Sequence, residues 1–194
     1  MKYYIVLILV LDIAFLNASR AQVFNYLPAK VNTHQVIQYS HFTICYNEEH
    51  EQAEWVAYAL TKEEVETERK RCDCFASDSK IITKSAAPDD YSSSGFDMGH
   101  LSPAADNKTS EEANKESFLM SNMSPQLPLF NREKWEGLEE WVRNQAVKYS
   151  KIYIVTGPVF INNLGSIGKN KVTIPGYYYK VLLRFEGSKA KTIA

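Results

Sequence analysis

Residues 94–107 read SGFDMGHLSPAADN. His100, one of four histidines in a chain of 194 residues, stands there between Gly99 and Leu101, followed by Pro103 and small side chains. A glycine before a histidine lets other groups approach the backbone closely. A short polar loop is expected to keep the imidazole near solvent, where a group with a pKa close to neutrality exchanges protons. A lone histidine is more often a satisfied structural group than a reactive one. Its surroundings therefore decide between the two.

Working outward, residues 76–95, ASDSKIITKSAAPDDYSSSG, read as a long surface loop of the kind that borders functional clefts. Before it, VIQYSHFTICYN (36–47) alternates as a strand, NEEHEQAE (47–54) makes a polar turn, and WVAYAL (55–60) is a second strand. TKEEVETERKR (61–71) carries opposite charges at helical spacing, as a solvated face does. After the histidine, Thr109 and Glu112 form a candidate capping box for a short helix, and SFLMSNMSP (117–125) returns to strand character. Trp135, Leu138, Val142 and Ala146 recur at steps of three or four, which predicts a helix over 131–149 with Pro128 and Asn131 as start signals. KIYIVTGPVFI (151–161) and GYYYKVLLRFEG (176–187) are further strands. The predicted class is α+β, mostly antiparallel sheet around a few helices.

The first residues stand apart. Lys2, an apolar run from Tyr3 to Leu16 broken by Asp12, and then Ser19 and Ala21 have the layout of a secretory signal, too short to cross a bilayer. The expected organisation is a signal peptide over 1–21, an irregular lead-in over 22–39 and one domain over 40–194. The expected location is secreted or periplasmic, with no stable membrane association after cleavage. Without residues 1–21 the chain carries 20 basic and 22 acidic residues, so net charge does not hold it on nucleic acid. A polyanion must be met locally, by a group such as Arg69, Lys70 and Arg71, or through a metal ion. Export permits a disulfide among Cys45, Cys72 and Cys74, for instance Cys45 with either of the others. Two thiolates in Cys-Asp-Cys, with no second pair beside them, make a weak zinc site. Asn107-Lys-Thr109 is formally a glycosylation sequon.

Three other side chains invite chemistry. Asn131 and Glu139 lie eight residues apart, roughly 80° past two full turns of an α-helix, so both can border one cleft. Their ordinary roles would be a helix cap and a surface acid beside Glu140. Arg71, in RCDCF, can present its guanidinium fork to phosphate oxygens or serve as a surface charge.

Taken together, SGFDMGHLSPAAD, SFLMSNMSPQLPLFNREKWEGLEEWVR and YIVTGPVF resemble, in order and spacing, the DNA/RNA non-specific endonucleases of the ββα-metal class. WVAYALTKEEV and RCDCF extend the resemblance upstream. It implies a ββα-metal core in which His100 is the general base, Asn131 the direct ligand of Mg²⁺ (Mn²⁺ as substitute), and Glu139 the acid holding metal-bound water. Arg71 would contact phosphate, and Asn122 would line the site. The implied substrates are DNA and RNA, cut with little sequence preference because the groups address the backbone. Two departures remain. Met98 stands where the family pattern has arginine, and the family's domain generally continues beyond KAKTIA (189–194), so an open sheet edge is expected. They motivate a second reading, a nucleic-acid-binding descendant of the fold without turnover.

Overall fold

A computed structural model describes residues 25–29 and 34–193; the expected signal segment lies outside the described residues. The main sheet has six antiparallel strands, in the order β1 (Gln35–Gln38), β2 (Phe42–Asn47), β3 (Gln52–Thr61), β6 (Lys151–Val159), β9 (Tyr177–Glu186), β10 (Lys189–Ile193). β4 (Asp97–His100) and β5 (Met123–Gln126) form a separate antiparallel pair, and β7 (Ser166–Ile167) and β8 (Val172–Thr173) another. The helices are α1 (Lys62–Glu66), α2 (Glu111–Glu116) and α3 (Glu136–Tyr149). The observed class is the mixed, mostly antiparallel one expected.

β2 and β3 are apolar along nearly their whole length because both sheet faces are covered. Successive side chains alternate between faces. Ile44, Val56, Tyr58, Leu60, Ile152, Ile154 and Leu182 point to one side, where Val142 and Ala146 of α3 close the principal core. Cys45, Trp55 and Ala57 point to the other, against Tyr26 and Val155. The periodicity that predicted the long helix thus marks its buried stripe.

Several local expectations need correction. The single strand read over 36–47 is a hairpin, β1 then β2, and β1 occupies part of the span expected to be irregular. Tyr39 is fastened at the turn: its N–H bonds to the Phe42 carbonyl at 2.8 Å, its ring stacks on Phe42, and its hydroxyl donates to the buried Asp78 carboxylate. α2 is capped by Ser110 rather than Thr109, the Ser110 hydroxyl accepting from the Ala113 N–H at 2.9 Å. The stretch over 76–95 is not simply a surface loop, since Asp78, Ser85, Ala86, Asp90 and Tyr91 are buried in it. Asp78 ties it inward by also accepting from the Ser121 hydroxyl. The final residues form β10, which covers the edge of β9 and is itself exposed, with Lys189 and Lys191 along it. Charged edges of this kind resist pairing with other chains. Asn107 is wholly buried and its amide nitrogen donates to the Ser102 hydroxyl and the Pro103 carbonyl, so the sequon is not presented for modification.

Candidate active site

β4 and β5 pair with Asp97 opposite Gln126 and His100 opposite Met123, and the helical segment that follows completes a ββα unit. Gly99 leaves room for the Gln126 side chain of the partner strand. A Cβ there would sit 2.2 Å from the Gln126 side-chain oxygen.

His100 lies at the end of β4, not in a solvated loop, and is only 8% exposed. The reason is aromatic packing: the Phe118 ring meets it edge-on at 4.9 Å and Phe75 lies at 5.7 Å. Burial, and next the nearby Arg71 cation, depress its pKa to about 3 against a small opposing effect of Asp73. The imidazole is therefore neutral at pH 7, and its Nε2 has no protein hydrogen-bond partner. Its backbone carbonyl accepts from the Trp135 indole N–H at 3.1 Å, which fastens the helix to the strand.

That helix does not begin at Asn131. It starts at Pro128, as the proline signal predicts, passes through a π turn over Phe130–Trp135 in which the Glu136 N–H reaches back five residues to the Asn131 carbonyl, and then continues as α3. A π turn takes up one extra residue, so the eight steps from Asn131 to Glu139 rotate like seven in an α-helix, about 20° short of two turns. The two side chains consequently share a face more closely than regular spacing predicts.

Asn131 is also oriented. Its Nδ2 donates to Asp97 Oδ2 at 3.0 Å. A carboxylate only accepts, so the amide must turn its nitrogen toward Asp97 and its oxygen away. Arg132 grips the same carboxylate through Nε at 2.8 Å and Nη2 at 2.7 Å. Burial alone would raise the Asp97 pKa, but the hydrogen bonds from Arg132 and Asn131 outweigh it and hold the group below its usual value.

Behind Glu139 lies a buried polar network. Asp106 accepts from the Tyr58 hydroxyl at 2.8 Å and from Arg143 at 3.3 Å, and the Lys180 ammonium donates to the Leu101 carbonyl at 3.2 Å. Burial pushes the Glu139 carboxyl up to about 8; Lys180 and Arg143 oppose the rise and Asp106 adds to it.

Arg71, Met98, His100, Asn131 and Glu139 all border one cleft of about 240 Å³, together with Arg132, Glu136 and Arg143. Arg71 lies over the Phe118 ring at 4.7 Å, so one aromatic side chain positions both it and His100. Asn122 does not line the cleft. It is fully buried beneath it, accepting from the Ser102 N–H and donating to the carbonyls of Ser102 and Ser117. A larger cavity of about 500 Å³ is lined by Trp135 among other residues, but its walls are chiefly apolar and it holds none of these groups. The disulfide joins Cys72 to Cys74 and does not involve Cys45. Cys45 points into the cluster with Trp55 and Ala57 on the face of the sheet away from the main core, and is buried there.

Asp97, Arg132 and the network of Asp106, Arg143 and Lys180 escaped the sequence reading. Asp97 sits in the motif itself, and a lysine inside the apolar run YYYKVLL was a visible anomaly.

A strand-borne histidine and a helix-borne asparagine and glutamate, meeting in one cleft of a ββα unit, define a class. Residues 20–194 match the DNA/RNA non-specific endonucleases, and the chain belongs to that family. It is similar to human mitochondrial endonuclease G, with 34% identity over 154 residues, 73% of this chain and 52% of that protein. Nuclease C1 of Cunninghamella echinulata is 36% identical over 162 residues, covering 75% of this chain and 64% of its own. A crystal structure of an EndoG/EndoGI complex superposes with a TM-score of 0.72 at 31% identity, over 76% of this chain and 66% of that one. The chain spans about half the length of the human relative.

Proposed function

We propose that this cleft hydrolyses phosphodiester bonds in DNA and RNA with the help of a divalent cation. The observation that carries the reading is the convergence in one cleft of a neutral imidazole with an asparagine whose amide nitrogen is bonded to Asp97, so that its oxygen is turned away from that carboxylate. Family membership supports it.

The donors fit a hard cation. Among the described residues no group of three His, Cys, Asp or Glu side chains is placed to enclose an ion. Mg²⁺ binds readily through one or two protein oxygens plus waters and substrate phosphate, and Mn²⁺ accepts the same donors. Asn131 Oδ1 would be the direct ligand and Glu139 would hold a coordinated water. When bound, the cation would neutralise charge building on the phosphate and the departing 3′ oxygen.

The protein's own groups do the rest. His100 takes a proton from the attacking water, and its burial keeps it unprotonated beforehand. Arg71 receives a phosphate oxygen on its exposed side. Once its charge is matched by phosphate, it depresses the imidazole's basicity less, so the base strengthens when substrate arrives. The product carries a 5′ phosphate. Export to a secreted or periplasmic location belongs to the same proposal, supported by the layout of residues 1–21 and by the Cys72–Cys74 bond, which an oxidising compartment preserves.

The test is incubation of the purified protein with plasmid DNA and with RNA, in Mg²⁺ and in excess chelator, with end-group analysis. Cleavage of both polymers to 5′-phosphate ends, abolished by chelation, is the expected result. Binding without cleavage by a folded protein would favour the inactive descendant that Met98 brings to mind.

A further inference from the structure

We infer that Arg132 is a substrate-binding residue, gripping a phosphate oxygen of the polynucleotide beside Asn131. This deepens the reading above and rests on it.

Three guanidinium groups border the cleft, and they are not equivalent. Arg143 is turned inward to the fully buried Asp106, and its side chain is 19% exposed. Arg71 belongs to the wall made by Phe118 and His100. Arg132 alone stands on the Asn131 wall, with 69% of its side chain open to solvent. On the adjoining strand the cleft is lined by Met98, which has no charge to offer.

Arg132 is also held in place. Asp97 takes its Nε and one hydrogen of Nη2, and the same carboxylate takes the Asn131 amide nitrogen. One anchor therefore fixes the cation relative to the proposed metal ligand, and leaves Nη1 with both hydrogens to donate. Arginine's planar fork suits this division, one edge on a carboxylate and the other on phosphate. The Asp97–Arg132 pair is neutral as a unit, so it does not repel the substrate.

The test separates phosphate binding from mere support of Asp97. Binding of a short fluorescent DNA duplex is measured by anisotropy in excess chelator, over a range of salt, for wild type, Arg132→Ala, Arg132→Lys and Arg132→Ala with Met98→Arg. Melting curves check that each variant is folded. Each neutralised phosphate contributes a slope of about −0.9 to log K against log salt. Arg132→Ala should lower the steepness by about that amount, Arg132→Lys should retain it, and Met98→Arg should restore it by supplying a cation from the neighbouring strand. An unchanged slope in Arg132→Ala would overturn the inference, whether or not cleavage then needs more Mg²⁺. Wild type that cleaves while Arg132→Ala keeps the full slope refutes only Arg132's role. Wild type that binds but never cleaves refutes the hydrolase reading and leaves the binding role standing.

Discussion

Replacing Asp97 by asparagine preserves the shape of the side chain while removing its charge and one of its acceptors. Asp97 now takes three bonds, from Asn131 Nδ2 at 3.0 Å and from Arg132 Nε and Nη2 at 2.8 and 2.7 Å. An amide has a single acceptor oxygen, so its NH2 group must confront one of these donors. Either Arg132 is released or Asn131 loses the contact that turns its oxygen away from the carboxylate. A hydrogen bond to a charged group contributes about 1.5–3 kcal/mol, and 1.4 kcal/mol is a factor of ten. Loss of most of that orienting energy at Asn131 should weaken cation binding by about 10–100-fold, the range found for supporting residues around metal ligands. The assay is the initial rate of plasmid cleavage against Mg²⁺ concentration, paired with direct Mn²⁺ binding by electron paramagnetic resonance. Half-saturation should shift upward with the melting temperature little changed, and saturating cation should restore much of the rate. Asp97→Ala, which offers Asn131 no acceptor at all, should shift half-saturation in the same way, and unaltered metal dependence in that variant would refute the claim that this carboxylate orients Asn131.

Three further outcomes follow from the packing. Phe118→Ala removes a wholly buried ring from between Arg71 and His100; unfolding in urea should show a loss of about 3–5 kcal/mol, and proton NMR should find His100 titrating well above about 3. Asn122→Ala leaves the Ser102 N–H and the carbonyls of Ser102 and Ser117 without their partner, a loss of about 1–3 kcal/mol for each stranded group, while Mg²⁺ half-saturation of the folded fraction stays as in wild type. Burial would raise the Asp90 pKa, but bonds from the Ala87, Asn170 and Lys169 backbone and the Asn170 side chain outweigh it and place it below 3.8. Its stabilisation is therefore complete above the unfolded value and disappears as pH falls through the lower folded value. Asp90→Asn should be less stable at neutral pH, and the gap from wild type should narrow below about pH 4 in acid unfolding curves.

Much of the fold was legible because periodicity reports burial directly. Val142 and Ala146 fell on the core stripe of α3, and the runs of β3, β6 and β9 announced strands packed by apolar neighbours. Local chemistry was less legible where tertiary contacts decided it. Tyr39 reads as one more aromatic in an alternating strand, yet its bond to Asp78, far along the chain, accompanies the turn that splits β1 from β2. Ser110 and Thr109 are nearly equal as caps in sequence, and only the helix register chooses between them. At the site, residue types and order brought His100, Arg71, Asn131 and Glu139 into consideration, and all four border one cleft. Their environment was hidden. The rings that bury His100 come from residues 75 and 118, the π turn that aligns Asn131 with Glu139 has no sequence signature, and Asp97 acquires meaning only when Asn131 and Arg132 converge on it.

The central claim is that a buried, neutral His100 acts beside a cation held at Asn131. It is tested most directly by single-turnover cleavage of a DNA duplex in Mg²⁺ by wild type and by His100→Ala, with binding to the uncleaved duplex measured in chelator. Wild type should cleave, and His100→Ala should bind the duplex as tightly while losing on the order of 10²–10⁴ in rate, the range general-base catalysis supplies. A folded His100→Ala protein that cleaves at the wild-type rate would contradict the account.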